Sequence, residues 1–221
     1  METKASLREY LFMLFDAAGI KSAADDADKI SEKFSNLLYV LHLDAYNLSS
    51  ISGCSDAAAD LIRLTAALTS RRITDRFKPG RKYTEEQIRD LAVGKLFGVE
   101  YESVYALLFD KSDRFLACEH VCDGVVNAAG IVPRKIIDAA KRQGAVSVIV
   151  IHNHPRGNTE PSDDDMTSTM NIKYVLSSAG IECKHSYIVS GFDVFDAIGF
   201  ISEAPVGAEL RVSSSVVTPK K

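Results

Sequence analysis

The sequence lacks the features of several special classes of protein. Its 221 residues include four cysteines, without the dense spacing of a disulfide-stabilised secreted domain. No apolar run approaches the length of about eighteen residues that a membrane-spanning helix needs. The formal net charge is −4 and the pI is near 5.8, so the protein as a whole does not attract nucleic acid or anionic lipid. We expect a globular protein of the reducing cytoplasm that does not associate with membranes.

The chain begins with amphipathic segments and then changes to alternating strand and helix patterns. The charged N-terminus predicts an amphipathic helix rather than a signal peptide. Apolar residues three and four apart predict helices over about 6–19, 22–43 and 55–72, with Ser22 and Ser55 as N-caps. We predict four segments: a small helical domain at 1–76, a linker and a helix at 77–99, a mixed unit at 100–202, and a disordered tail at 203–221.

The mixed unit has the pattern of an α/β (α+β) fold, with a mixed β-sheet flanked by helices. Residues 102–110 and 114–122 predict an antiparallel hairpin. The near-continuous β-branched run at 145–152 is typical of a strand buried on both faces. Helices are predicted on either side of that strand, and two strands at 181–190 and 193–199 close the unit.

Two histidines lie one residue apart at the end of the buried strand. Side chains at alternate positions of a strand point to the same side, so His152 and His154 can bind one metal ion while Asn153 faces away. Pro155 ends the strand, which places both imidazoles at its carboxyl end, where open α/β sheets carry their sites.

The helix that follows begins with Ser162 and three aspartates, and two interpretations of this start remain open. In the first, Ser162 and Asp165 form a capping box that stabilises the helix by about 1 kcal/mol. In the second, Asp165 is a third metal ligand, which completes two imidazoles and a carboxylate with an open position for water.

The spacing His-x-His, seven residues, Ser, two residues, Asp resembles the signature of JAMM metallopeptidases, which have the MPN (cytidine-deaminase-like) fold. Within them, the chain is most similar to the bacterial RadC family, whose HNHPSG motif appears as HNHPRG at 152–157. The resemblance covers about 100–200. It implies one Zn²⁺ per chain, bound by His152, His154 and Asp165, with Ser162 stabilising an oxyanion. The small helical domain is similar to a degenerate helix-hairpin-helix.

The same resemblance implies a general base on the first hairpin strand. The RadC pattern of a glutamate and an aspartate separated by seven residues falls on Glu102 and Asp110. Glu100 competes with Glu102, because strand periodicity puts residues two apart on the same face. The implied activity is hydrolysis of a peptide, isopeptide or related amide bond in a peptide or protein substrate by a metal-activated water.

The chain departs from the RadC pattern at three positions, where Arg156, Val132 and Lys135 replace the usual serine, histidine and glutamate. None of them removes an implied ligand. A second hypothesis is a DNA repair or recombination protein without peptidase activity that binds DNA through residues 50–82, which include a basic stretch. A third is an inactive scaffold for protein partners. The sequence does not indicate the oligomeric state.

A second group of possible metal ligands lies on the other hairpin strand. The sequence predicts Cys118, His120 and Cys122 on one face, where Cys183 and His185 could join them in a thiolate zinc site. Small soft side chains in strands are also typical of a core.

Overall fold

The computed structural model describes residues 4–124, 131–155 and 159–203. Arg156 and the predicted tail beyond Glu203 lie outside the described residues. None of the helices in these ranges has the length and apolarity needed to cross a bilayer.

The first part of the chain forms more helices than the sequence pattern predicted. The helix expected over 22–43 is broken after Lys33, because Phe34 is extended, with φ −124° and ψ 146°, and its side chain is buried. A further short helix precedes Gly53, which adopts φ 73°. The described helices are α1 (Lys4–Ala17), α2 (Ala23–Lys33), α3 (Leu37–His42), α4 (Ala45–Ser52) and α5 (Asp56–Thr74).

The predicted N-caps of two of these helices have different outcomes. Ser55 caps α5 by accepting a hydrogen bond from Ala58 N, as expected. Ser22 makes no side-chain cap on α2, because its hydroxyl donates to the carboxylate of Asp26 at 2.7 Å. Asp26 also accepts from the main-chain nitrogen and hydroxyl of Ser55. One buried carboxylate therefore joins α2 to the first turn of α5.

Helix α6 (Glu85–Leu96) connects the helical part to the sheet. Thr84 caps it, and Gln87 completes a capping box. The C-terminal end of α6 contacts α5. The hydroxyl of Ser70 donates to the carbonyl of Gly94 at 2.6 Å, and the side chain of Ile73 lies over Gly94. The α5–α6 contact thus places the helical part against the mixed unit. The predicted domain boundaries themselves stay a prediction.

The mixed unit contains a five-stranded sheet in the order β2-β1-β3-β4-β5. The predicted hairpin and central strand are confirmed, since β1 and β2 are antiparallel and every residue of β3 is buried. The last predicted strand is wrong in part, because it ends at Asp196 and a helix follows. The elements are β1 (Ser103–Phe109), β2 (Phe115–Asp123), α7 (Ile131–Gln143), β3 (Ser147–Asn153), α8 (Asp163–Ser178), β4 (Glu182–Ser190), β5 (Asp193–Asp196) and α9 (Ala197–Glu203).

The two faces of the sheet pack against different helices. Val148 and Val150 face α7 and α8, while Ile149 and Ile151 face α6. The side chains of β3 alternate strictly between these two cores, and we extend this alternation to the last residues of the strand. Position 152 therefore belongs to the α8 face and position 153 to the α6 face.

A β-bulge in β2 separates the cysteines that the sequence placed together. Val104 pairs with Cys122, but the next residue of β1, Tyr105, pairs with His120, so the pairing skips one residue of β2. Cys118 consequently packs with the α6-face core and Cys122 with the α7-face core. The prediction that Cys118, His120 and Cys122 share one face is wrong, because the bulge reverses the alternation between them.

Candidate metal centre

The centre begins where β3 ends. His152 and His154 lie on the α8 side of the sheet, with ring centroids 5.2 Å apart. His154 N donates to the carbonyl of Val189 at 2.8 Å, and Ser190 Oγ donates to the carbonyl of His154 at 3.2 Å. Hydrogen bonds to the end of β4 therefore hold the chain of the second histidine after β3 itself has ended.

Helix α8 supplies the third side chain from its first turn. Asp165 Oδ1 lies 3.4 Å from His152 Nε2, and Asp165 Oδ2 lies 3.3 Å from His154 Nε2. One nitrogen or oxygen from each of the three residues lies within 4.8 Å of the others. The structure thus brings together all three residues that the sequence proposed as ligands, although their role as ligands stays a prediction.

The three side chains are better placed to bind a metal ion than to form hydrogen bonds with one another. His152 is 3% exposed, and its Nε2 makes no hydrogen bond of acceptable geometry with any described residue. A buried polar atom without a partner costs free energy unless something binds it. Two imidazole nitrogens and a carboxylate oxygen are ordinary zinc ligands, so the residues present fit this ion. Within the described ranges, this is the one group of three such side chains whose donor atoms are close enough to bind a single ion.

Ser162 and Asp165 show that the two interpretations of the helix start are compatible. Ser162 Oγ accepts from Asp165 N at 3.1 Å, and Ser162 N donates to Asp165 Oδ2 at 2.8 Å, which is the predicted capping box. The same Oδ2 accepts the Ser162 hydroxyl at 2.5 Å. Burial would raise the pKa of Asp165, but His152, His154 and Ser162 together hold it well below its usual range. Asp165 is therefore a charged carboxylate in this arrangement.

Glu102 lies directly before β1, on the edge of the centre. Its carbonyl accepts from Gly124 N at 2.7 Å, which continues the β1–β2 ladder. Val104 and His152 form the last pair of the antiparallel β1–β3 ladder, and Glu102 lies two residues before Val104. Since alternate residues of a strand point to the same face, we expect Glu102 on the face of His152 if the alternation of β1 continues to it. Glu102 does not belong to the three-residue group.

Glu100, the competing glutamate, faces another part of the molecule. Its side chain lies beside Asp44, the N-cap of α4, and this contact lowers the pKa of Asp44. Glu100 lies three residues before β1, whereas the hydrogen bond from Gly124 N continues the β1–β2 ladder as far as Glu102. This contact favours Glu102 as the base. Asp110, the partner of Glu102 in the RadC pattern, accepts from Ser112 N and Arg114 N in the hairpin turn, and so serves the turn.

The two described departures from the RadC pattern lie on α7. Val132 is buried in the core of the α7 face. Lys135 Nζ donates to the carbonyl of Val121 at 2.8 Å and so binds the main chain of β2. Both replacements have structural contacts of their own.

Asn153 has a structural role that the sequence pattern did not predict. Its amide makes three hydrogen bonds to the main chain on the other side of the sheet. The sequence did contain a sign of this role. The alternation of β3 places a polar amide on the apolar face of Ile149 and Ile151, where it needs hydrogen-bond partners.

Comparisons with known proteins agree with this architecture. The family model described as the RadC-like JAB domain matches residues 82–197, more than half of the chain. A UPF0758 protein of Janthinobacterium sp. (strain Marseille) is 28% identical over 84% of this chain and 83% of its own length. One from Herminiimonas arsenicoxydans is 28% identical over 84% of each chain, and one from Dechloromonas aromatica (strain RCB) is 30% identical over 77% of this chain and 76% of its own. With its five-stranded mixed sheet flanked by helices, the chain has a JAB/MPN-like fold and belongs to the RadC-like JAB domain family.

Proposed function

We propose that the protein is a zinc-dependent hydrolase of the JAMM/MPN type that cleaves a peptide, isopeptide or related amide bond. The observation that carries this proposal is the convergence of His152, His154 and Asp165. Three protein ligands leave the fourth position of a tetrahedral zinc ion for water or substrate, which is the pattern of catalytic rather than structural sites. The unpartnered, buried Nε2 of His152 supports a bound ion over a purely structural cluster.

Zinc at this position would supply a Lewis acid that lowers the pKa of water toward 7 and polarises a carbonyl. Glu102 would accept the proton of the attacking water and deliver it to the leaving amine; it lies two residues before Val104, the partner of His152, so the alternation of β1 favours the histidine face for it. Ser162 would donate to the oxyanion of the tetrahedral intermediate. Its single hydroxyl proton is directed at Asp165 Oδ2, so this role requires the hydroxyl to rotate.

Binding of DNA through residues 50–82 receives less support. The helix-hairpin-helix interpretation requires a phosphate at the first turn of α5. The carboxylate of Asp26 occupies that turn, where it accepts from Ser55 N at 2.8 Å and from Ser55 Oγ at 2.6 Å. A buried negative charge repels a phosphate at this position. The basic stretch after α5 remains the predicted contact for such an alternative.

The test combines metal analysis with a cleavage assay. We expect the purified wild-type protein to contain about one zinc ion per chain and His152→Ala to contain almost none, as measured by elemental analysis. His120→Ala, which changes an exposed histidine on β2, should keep the zinc. The zinc-loaded protein is then incubated with a peptide library. Cleavage that disappears in Glu102→Gln at unchanged zinc content supports the proposal, and a zinc-free wild-type protein or an active Glu102→Gln variant contradicts it.

A further inference from the structure

Asn153 is the residue between the two histidines, and its side chain points away from them. It is 3% exposed and lies on the face of the sheet that packs against α6. A buried amide on an apolar face needs hydrogen-bond partners. All of the partners of its side chain lie in one short segment, residues 99–103, which leads from α6 into β1.

The hydrogen bonds of Asn153 hold this segment at three points. Oδ1 accepts from Ser103 N at 2.8 Å. Nδ2 donates to the carbonyl of Val99 at 3.0 Å and to the carbonyl of Tyr101 at 3.1 Å. The main chain of residues 99, 101 and 103 is thus bound to the face of the sheet that packs against α6, and Glu102 lies between two of these attachment points.

The other side of the segment is held by the end of β2. Gly124 N donates to the carbonyl of Glu102 at 2.7 Å, and the hydroxyl of Ser103 donates to Asp123 at 2.6 Å. Asn153 connects the segment to the strand that carries the histidines, next to the last pair of the β1–β3 ladder, Val104 and His152. The distance between Glu102 and the two imidazoles is therefore set in part by this one amide.

We propose that Asn153 is a positioning residue that holds Glu102 at the histidine-bearing end of β3 through the main chain of residues 99–103. The inference rests on the proposed function, because it assigns a support to the general base of that reaction. Asn153 touches neither substrate nor metal; it acts through the segment. Since His152, Asn153 and His154 are consecutive in β3, one strand end supplies two metal ligands on one face and fixes the position of the base from the other face.

The first test needs no metal. In the wild-type protein, we expect the amide of Ser103 to be protected from hydrogen exchange, because Asn153 Oδ1 accepts its proton. Asn153→Ala should raise exchange in residues 99–103. Ser186→Ala is the control for a general loss of stability. It removes a buried hydroxyl of β4 that contacts Thr169 of α8, and it should leave residues 99–103 protected. Unchanged exchange at Ser103 in Asn153→Ala would overturn the inference, whatever the metal content.

The second test measures the base itself, with acetohydroxamate as the probe for the zinc-loaded protein. Glu102→Gln should weaken its binding by roughly 10- to 100-fold, the value of one hydrogen bond to a charged group. Asn153→Ala should weaken binding at unchanged zinc content, and the double variant should bind no more weakly than Glu102→Gln alone. If the fold losses of probe affinity in the two single variants multiply in the double variant, the two residues act independently and the inference is overturned. A wild-type protein that binds no zinc would instead contradict the proposed function, and the exchange test would still report on the segment.

Discussion

Asp165 Oδ2 accepts hydrogen bonds from both the main-chain nitrogen and the hydroxyl of Ser162, while each of its two oxygens faces one imidazole. The helix start and the candidate metal centre thus share one carboxylate. The first turn of α8 cannot move without moving the third donor atom, because Asp165 is the capping-box partner at that turn. A conventional helix cap therefore also positions the metal centre.

This sharing predicts that charge and capping can be separated at Asp165. Asp165→Asn keeps an oxygen that can accept from Ser162 N but loses the negative charge. We expect zinc affinity to fall by more than the roughly 100-fold that the loss of an outer hydrogen-bond partner of a ligand can cost. The unfolding free energy without metal should fall as well, by more than the roughly 1 kcal/mol of a cap alone, because the lowered pKa of Asp165 means that its charged form stabilises the folded state. Zinc titration and urea unfolding measure the two effects.

Asp163→Asn is the matched control, because Asp163 is an exposed aspartate in the same turn of α8. It should bind zinc as the wild-type protein does. A similar loss of affinity in both variants would mean that general negative charge, rather than a ligand, attracts the ion.

The buried Asp26 predicts a pH-dependent contribution to stability. Burial raises its pKa, but hydrogen bonds from Ser55 and Ser22 outweigh burial, so the pKa is lowered overall. A lowered pKa in the folded state stabilises the protein above the unfolded-state pKa of about 4, and this contribution is lost as the pH falls through the folded-state pKa. Asp26→Asn should therefore cost about 2 kcal/mol or more at pH 7 and progressively less in acid, as measured by urea unfolding.

Asp25→Asn is the control on the same helix. Asp25 is largely exposed and contacts only Lys29 one turn later among the ion pairs described. Such a pair contributes about 0.5 kcal/mol or less. Equal losses in both variants would contradict the role of Asp26 as the link between α2 and α5.

The sequence was sufficient to predict the parts of the centre that depend on local geometry. The position of His152 and His154 follows from the pleat of a strand, and the position of Asp165 from the start of a helix. Both are properties of fewer than ten consecutive residues. Their mutual approach was predicted through the spacing of a family motif, and the structure places them within 4.8 Å.

The features that could not be predicted depend on contacts between distant segments. The bulge in β2 that separates Cys118 from Cys122 is a property of its pairing with β1. The contact between Glu100 and Asp44 of the helical part, which favours Glu102 as the proposed base, also joins distant segments. The break after Lys33 likewise follows from the burial of Phe34 in the helical core, which the apolar spacing alone does not show.

The contact between α5 and α6 predicts that Gly94 does not tolerate a methyl group. A Cβ at this position would lie 2.6 Å from Ile73 Cγ2 and 2.8 Å from Ile73 Cβ. The Cβ of Ile73 is fixed by its own main chain, so rotation of the side chain cannot relieve the overlap. Gly94→Ala should lower the unfolding free energy by about 1–2 kcal/mol, because the overlap outweighs the gain of about 1 kcal/mol in helix propensity.

Ile73→Ala provides the compensating change for this prediction. It removes Cγ2, the closer of the two atoms, and leaves Cβ at 2.8 Å, so the double variant Ile73→Ala/Gly94→Ala should lose less unfolding free energy than the sum of the two single losses. Thermal unfolding of the single and double variants measures the difference. Additive losses would show that the α5–α6 distance is set elsewhere.

His42 predicts acid sensitivity of the contact between the helical part and the mixed unit. Its ring packs edge-on against Phe97, its Nδ1 accepts from Gly98 N at 3.4 Å, and burial lowers its pKa. The folded state therefore disfavours the proton, so this contact stabilises fully above the unfolded-state pKa of about 6.5 and weakens as the pH falls below it. His42→Gln, which keeps an acceptor, and His42→Phe, which does not, should both lose less stability than the wild type between pH 7 and 5. An unchanged pH dependence of urea unfolding in both variants would contradict this assignment.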